Sequence, residues 1–291
     1  MLIIQKIEQI AISSKGSKRE IANFILQYSR NLSAYTVDSI AEKTFTSKAS
    51  VVRFAKILGF SGWREFLVDF TKEQNYLNQH QGEVDANFPF AKTDTIAKVI
   101  SNIQKLEKQT LDTTSYLLED KSLIQATNII ANAKNTVLYA ESPNNYLAEL
   151  FKRKLLSIGK RAIVVKDDEA GLETGTLTNA DCAVIVSYSG NSNSRAIRHI
   201  NLLKAHHIPV IGITSDTKNY LREKADVSLL IATEENLYTK IASFQTEISI
   251  ESIFNILFAL IFQKNYDANQ YYHLDSARYL ELERKNNDLN S

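Results

Sequence analysis

The sequence is poor in residues that staple, break or punctuate a chain: one cysteine, three prolines and nine glycines among 291 residues. A lone cysteine rules out a disulfide framework within the chain. Cys182 stands in the apolar run Cys182-Ala183-Val184-Ile185-Val186, which reads as a packing position. No internal repeat or low-complexity segment is evident. The N-terminus opens with Leu2-Ile3-Ile4, but Lys6 and Glu8 fall where a signal peptide keeps an apolar block. The longest apolar stretch, residues 252–262, is shorter than the roughly 20 residues a bilayer crossing requires. These absences lead us to expect a cytoplasmic protein with no membrane partner. His199, His206 and His207 share one helical stretch without the acids or cysteines that would complete a ligand set, so neither metal nor cofactor is expected.

Acidic residues are also missing where it matters. The whole chain carries a net charge of +1, but its first 80 residues hold eleven Lys and Arg against seven Asp and Glu. Residues 43–64 contain Lys43, Lys48, Arg53, Lys56 and Arg64 and no acid. Nucleic-acid binding needs local rather than global positive charge, so this segment is the first directional signal.

The length suffices for two domains, and 44% hydrophobic content is enough to give each its own core. Over residues 17–30, Ile21, Phe24, Ile25 and Tyr28 recur at helical spacing. Thr36 caps a short segment carrying Val37, Ile40 and Ala41 inward. After the break Thr44-Phe45-Thr46, Ser47 is the N-cap of another helix whose stripe is Val51, Phe54, Ala55 and Leu58, ended by Gly59. A further helix begins near Ser61 with Trp63, Phe66, Leu67 and Phe70 on its inner face. Two short helices joined by a tight turn can lay the second in the DNA major groove. The stripe leaves Ser47, Lys48, Ser50, Arg53 and Lys56 as the DNA-facing candidates, early residues for base edges and later ones for phosphates. A helical bundle with a solvated basic face fits the same spacing.

From residue 136 onward the pattern changes. Apolar runs at 136–140, 161–165, 183–187, 209–214 and 227–232 alternate with helical stretches, as strands covered on both faces do. The expected fold is therefore α+β with two domains: an all-α helix-turn-helix domain over 1–75, a linker over 76–94, and a doubly wound α/β domain over 95–285 with a five-stranded parallel sheet. The tail after Leu280 is polar and expected to fray. The third strand ends in Ser187-Tyr188-Ser189-Gly190-Asn191-Ser192-Asn193-Ser194. A polar loop at the carboxyl end of a parallel strand can hold a phosphate, with Gly190 permitting close backbone approach. A serine-rich helix cap gives the same letters without a ligand.

The stretch from Thr46 through Arg53-Phe54 and Leu58-Gly59-Phe60-Ser61-Gly62 to Trp63 resembles the N-terminal domain of the RpiR (MurR/RpiR) family of transcriptional regulators. The serine loop, with Ile213-Thr214-Ser215-Asp216 and Ala225-Asp226-Val227 further along, resembles the sugar isomerase (SIS) domain that follows in that family. The resemblance implies sequence-specific binding of double-stranded operator DNA by a homodimer or homotetramer. It also implies control of sugar-metabolism genes, as a repressor, through a phosphorylated sugar effector. Ser187, Ser189, Gly190, Ser192 and Asn144 are the ligand candidates it marks. The first SIS loop departs from the family: Gly-x-Gly-x-Ser is replaced by Ala140, Glu141, Ser142, Pro143 and Asn144, and Glu141 would repel a phosphate if turned inward. Ser194 likewise stands where many relatives carry Glu. No enzymatic activity is expected. The alternatives are a constitutive DNA binder whose SIS domain only dimerises, and a sugar-phosphate isomerase using Glu173, Glu234 or Glu247 as base.

Overall fold

The computed structural model describes residues 3–80, 84–166, 169–215 and 219–288; Gly82 and Asp216 fall outside them. The chain divides into two compact units, Met1–Gln109 with Glu234–Gln245, and Thr110–Thr233 with Thr246–Ser291.

The first unit is helical. Its elements are α1 (Ile3–Ser13), α2 (Ser17–Gln27), α3 (Val37–Lys43), α4 (Lys48–Ile57), α5 (Trp63–His80) and the start of α6 (Ile96–Leu117). The stripes read from the sequence meet in one core: Ile21 and Ile25 of α2, Ile40 of α3, Val51 and Phe54 of α4, and Phe66 and Phe70 of α5. Helix α1 supplies Ile4, Ile7 and Ala11 at the i, i+3, i+4 spacing that buries one face. Gly59, at φ 99°, turns the chain out of α4, a conformation that side chains with a Cβ resist. Ser61 then donates both its backbone N–H and its hydroxyl to Glu65, which fixes the entry to α5. The Leu-Gly-Phe-Ser-Gly-Trp signature is thus a helix stop followed by a helix start.

Two features of this unit come from distant parts of the sequence. Glu8 is wholly buried. Its carboxylate accepts the backbone N–H groups of Leu237 at 2.6 Å and Thr239 at 3.2 Å and the Thr239 hydroxyl at 2.7 Å, tying residues 234–245 to α1. Within 76–94, the backbone of α5 stays helical to His80, and Val84 and Ala86 are buried with Leu106.

The second unit is a doubly wound α/β layer structure. After α7 (Asp120–Asn132) come β1 (Asn135–Ala140), α8 (Asn144–Leu156), β2 (Arg161–Val164), α9 (Ala170–Thr176) and β3 (Cys182–Val186). Then follow α10 (Ile200–Ala205), β4 (Val210–Ser215), α11 (Tyr220–Lys224), β5 (Val227–Ile231), α12 (Phe244–Lys264) and α13 (Tyr266–Asp288). All strand pairs are parallel, in the order β2-β1-β3-β4-β5. Each expected strand forms within a residue or so of its expected limits. Alternation along the strands sends Leu138, Val184, Val186, Ile211 and Ile213 to one core, with Phe151 of α8 and Phe254 of α12. Val137, Tyr139, Ala183, Ile185 and Val210 go to the other, with Ile200, Leu203 and Leu221. Helix α12 is long and apolar enough, by length and composition, to cross a membrane. Its Ile250, Ile253, Phe254, Leu257 and Ile261 are instead buried against the sheet. The polar tail, expected to fray after residue 280, continues as α13 to Asp288.

Candidate functional site

In the first unit the candidate surface is built on α3 and α4. Thr36 caps α3 by accepting the Ser39 N–H at 3.1 Å, and Ser47 caps α4 by accepting the Ser50 N–H at 3.1 Å. With Val51, Phe54 and Ala55 held in the core, Ser47, Lys48, Arg53 and Lys56 are exposed and Ser50 is half-buried, so the five candidates share the outer face. Ser47, Ser50 and Arg53 form a chain along that face: the two hydroxyls are 2.9 Å apart, and Arg53 Nη2 donates to Ser50 Oγ at 3.2 Å. The Lys48 ammonium lies 2.8 Å from Asp38 of α3, so an acid outside the acid-free stretch folds onto it. Exposed pairs of this kind contribute only about 0–1 kcal/mol, and a phosphate can replace the carboxylate.

Three residues on this surface escaped the sequence reading. Ser17 and Lys18, at the start of α2, border a hollow of about 480 Å³ lined also by Ser50, Arg53, Lys56 and Ile57. Phe45, at φ 51° in the turn between α3 and α4, is 98% exposed, and its ring is the most open of the large apolar side chains among the described residues of this unit. Apolar patterning assigns such a residue to the core by default; only its position in the turn signals otherwise.

In the second unit the strand order reverses direction between β1 and β3. Open α/β sheets hold ligands in the crevice beyond the carboxyl ends of the strands at such a switch point. Ala140 pairs with Val186 at the last rung of β1 and β3, so residues 141–144 and 187–194 emerge side by side over this crevice. Ser187 is buried, Ser189 half-buried and Ser192 exposed; Asn144 begins α8 and is half-buried. Gly190 has φ 59°, and a Cβ built on it would fall 2.0 Å from Asn219 Oδ1. Asn219 is itself buried, caps α11 by accepting the Arg222 N–H at 2.9 Å, and donates to Thr214 Oγ1 at 3.0 Å. The glycine is therefore required by the packing beneath the loop as well as by its backbone angle. Asn219 was not singled out in the sequence; its one signal is an Asn ahead of a short helix.

The altered first loop turns its acid onto the serine loop. Glu141 Oε1 accepts the Ser194 hydroxyl at 2.7 Å and the Ala196 N–H at 3.1 Å, and Ser187 Oγ donates to Ser194 Oγ at 3.3 Å. The serine loop runs into a single 3-10 turn, Arg195–Ile197, with α10 following at Ile200. Glu141 of the altered loop and Ser194, a position that departs from the SIS pattern, thus meet in one hydrogen bond. Beside Glu141 a hollow of about 430 Å³ is lined by Ala140, Ser142, Asn145, Glu149, Val164 and Lys166 among others. The Asn145 Oδ1 atom there is buried without a hydrogen-bond partner among the described residues.

The carboxylates considered as alternative bases belong to different elements. Glu173 lies on α9 and Glu247 in the first turn of α12, whereas Glu234 belongs to the first unit beside Asp85. Burial, and then the Asp85 charge, push the Glu234 carboxyl up to about 7. A carboxyl raised in this way holds its proton in the folded state after the unfolded chain has lost it, so its stabilising contribution falls as pH rises from about 4.5 toward 7. Glu234→Gln should accordingly raise the melting temperature at pH 8 and change it little at pH 5, measured by calorimetry; an equal shift at both would show that Glu234 is not the titrating group. Burial pushes the Cys182 thiol up to about 11, so it carries little thiolate. Among the described residues no group of three His, Cys, Asp or Glu stands together as a metal site.

Comparison with known proteins agrees with this architecture. Residues 1–76 match the model of the rpiR-family helix-turn-helix domain, and residues 129–258 match the SIS domain. The chain is 25% identical over 280 residues to an uncharacterized HTH-type transcriptional regulator of Caldanaerobacter subterraneus, covering 96% of this chain and 94% of that one. It is 24% identical over 271 residues to an uncharacterized HTH-type transcriptional regulator of Haemophilus influenzae, covering 91% of each. Among solved structures, the Vibrio vulnificus NanR protein complexed with ManNAc-6P superimposes with a TM-score of 0.60 at 19% identity, over 96% of this chain and 97% of that one. The sugar isomerase domain of an RpiR transcription factor from Sphaerobacter thermophilus gives 0.53 at 14% identity, over 62% of this chain and 98% of that one. The helix-turn-helix on α3 and α4, the parallel sheet with its serine loop, and both domain matches in the same order make this chain a member of the RpiR family of transcriptional regulators, with a DNA-binding helix-turn-helix domain followed by a SIS domain.

Proposed function

We propose that the protein is a cytoplasmic repressor of sugar-metabolism genes that binds operator DNA as a homodimer or homotetramer and responds to a phosphorylated sugar. In this reading residues 1–75 bind DNA and residues 95–285 bind the effector. Ser47, Lys48 and Ser50 face base edges, while Arg53 and Lys56 hold phosphates with help from Lys18. Ser187, Ser189, Gly190 and Ser192 hold the effector's phosphate, with Asn144 across the crevice. The observation that carries the reading is the serine loop itself, set at the switch point of a parallel sheet in a chain whose other unit presents a basic recognition helix. NanR, a neighbour in fold, was solved with a phosphosugar, which supports the ligand class. The protein binds its sugar without converting it.

The test is a thermal-shift panel of sugar phosphates repeated with bound operator DNA. An effector at about 100 times its dissociation constant stabilises the folded protein by about 2.7 kcal/mol, equivalent to roughly 5–10 °C for a domain of this size. The same compound should release the DNA in a gel shift and should be recovered unchanged. The bond from Ser194 to Glu141 favours a second reading, a constitutive DNA binder whose SIS domain serves only assembly. That reading wins if no sugar phosphate moves the melting curve.

A further inference from the structure

We propose that Glu141 is an internal competitor for the phosphate, so that a phosphosugar enters the crevice only by displacing Glu141 from Ser194 and Ala196. The inference rests on the phosphosugar reading above and adds to it the residue that sets how tightly phosphate is held. Three observations carry it. The serine loop and residues 141–144 leave adjacent strands at the same rung, so a ligand on one loop lies against the other. The Glu141 carboxylate holds two donors at the end of the serine loop, a hydroxyl and a backbone N–H, which are groups suited to an anion. Ser187, a phosphate candidate, is linked to that carboxylate through the single hydroxyl of Ser194. A phosphate on Ser187 would therefore sit one hydroxyl away from a fixed negative charge, and like charges at such range in a partly desolvated crevice repel strongly. The hollow beside Glu141, lined by Lys166 as well as by Glu149, offers the displaced side chain room. Effector entry and release of the contact between the two loops become one event, which gives the domain two states for the ligand to choose between.

The experiment compares the full-length protein with its Glu141→Gln and Ser194→Ala variants. Glutamine keeps the side chain's length and its acceptor for the Ala196 N–H while removing the charge; alanine at 194 leaves the charge but loosens its hold. Binding is measured by calorimetry for N-acetylmannosamine 6-phosphate and other hexose 6-phosphates, for the corresponding unphosphorylated sugars, and for inorganic phosphate. Glu141→Gln should bind the phosphate-bearing probes at least about tenfold tighter than the parent, with little change for the unphosphorylated sugars. Ser194→Ala should fall between the two. Equal affinity of parent and Glu141→Gln for phosphosugars would overturn the inference and leave the phosphosugar reading standing. Weaker binding by Glu141→Gln would overturn it too, because the acid would then be holding the ligand rather than excluding it. Failure of all three proteins to bind any phosphate-bearing probe would overturn the inference and the phosphosugar reading together.

Discussion

Replacing Lys48 and Arg53 together by alanine is expected to weaken operator binding on the order of 100-fold or more, while leaving the melting temperature of the free protein nearly unchanged. Both side chains are exposed on the outer face of α4, and neither contributes to the core formed by Val51, Phe54 and Ala55. The native ion pair of Lys48 with Asp38 is a surface contact, so its loss costs little stability. On DNA the same two cations displace condensed counterions, and removing them also flattens the dependence of affinity on salt. The single variants should differ in kind. If Lys48 reads bases, Lys48→Ala relaxes sequence preference at one position of the site; if Arg53 holds a phosphate, Arg53→Ala weakens binding uniformly across sequences. A gel shift with duplexes selected by the parent protein from random DNA, repeated at two salt concentrations, measures both effects. Unaltered affinity in the double variant would remove α4 from the DNA interface.

The second large effect is expected at Gly190. An alanine there must adopt φ near 59°, which costs roughly 1–2 kcal/mol, and its Cβ must displace the buried Asn219 amide from a position 2.0 Å away. Moving Asn219 loses the cap of α11, worth about 1 kcal/mol, and unpairs a buried amide, worth about 1–3 kcal/mol. A total of about 3–6 kcal/mol should lower the melting temperature of the SIS domain by roughly 10 °C or more and abolish effector binding with it. A companion Asn219→Gly in the Gly190→Ala background clears the clash but keeps the strained backbone angle and leaves α11 uncapped, so it should recover part of the loss and not all of it. A loss under about 2 °C in the single variant would mean that the serine loop does not depend on this packing.

Much of this protein is settled locally. The helical stripes of α2 to α5 and the five strands are readable because a side chain's inward or outward direction is set by its neighbours three or four, or two, positions away. The caps Thr36 and Ser47, the stop at Gly59 and the basic run from Lys43 to Arg64 are equally short-range. Hence the fold class, the helix-turn-helix and the serine loop all follow from the sequence by itself. What the sequence could not decide is where distant segments meet. It shows Glu141 inside an altered loop and Ser194 as a separate departure from a pattern, and only the adjacency of β1 and β3 joins them in one hydrogen bond. It shows Glu8 as a charge interrupting an apolar start, whereas folding buries it on the backbone of Leu237 and Thr239. It shows Lys48 in a stretch without acids, and α3 brings Asp38 to it. In each case a charge or a hydroxyl had several possible partners along the chain. For Glu8 and Glu141 tertiary structure made the choice, because burying a polar group without a partner costs more than ordering the segments that supply one, whereas the exposed Lys48–Asp38 pair simply follows from α3 lying beside α4.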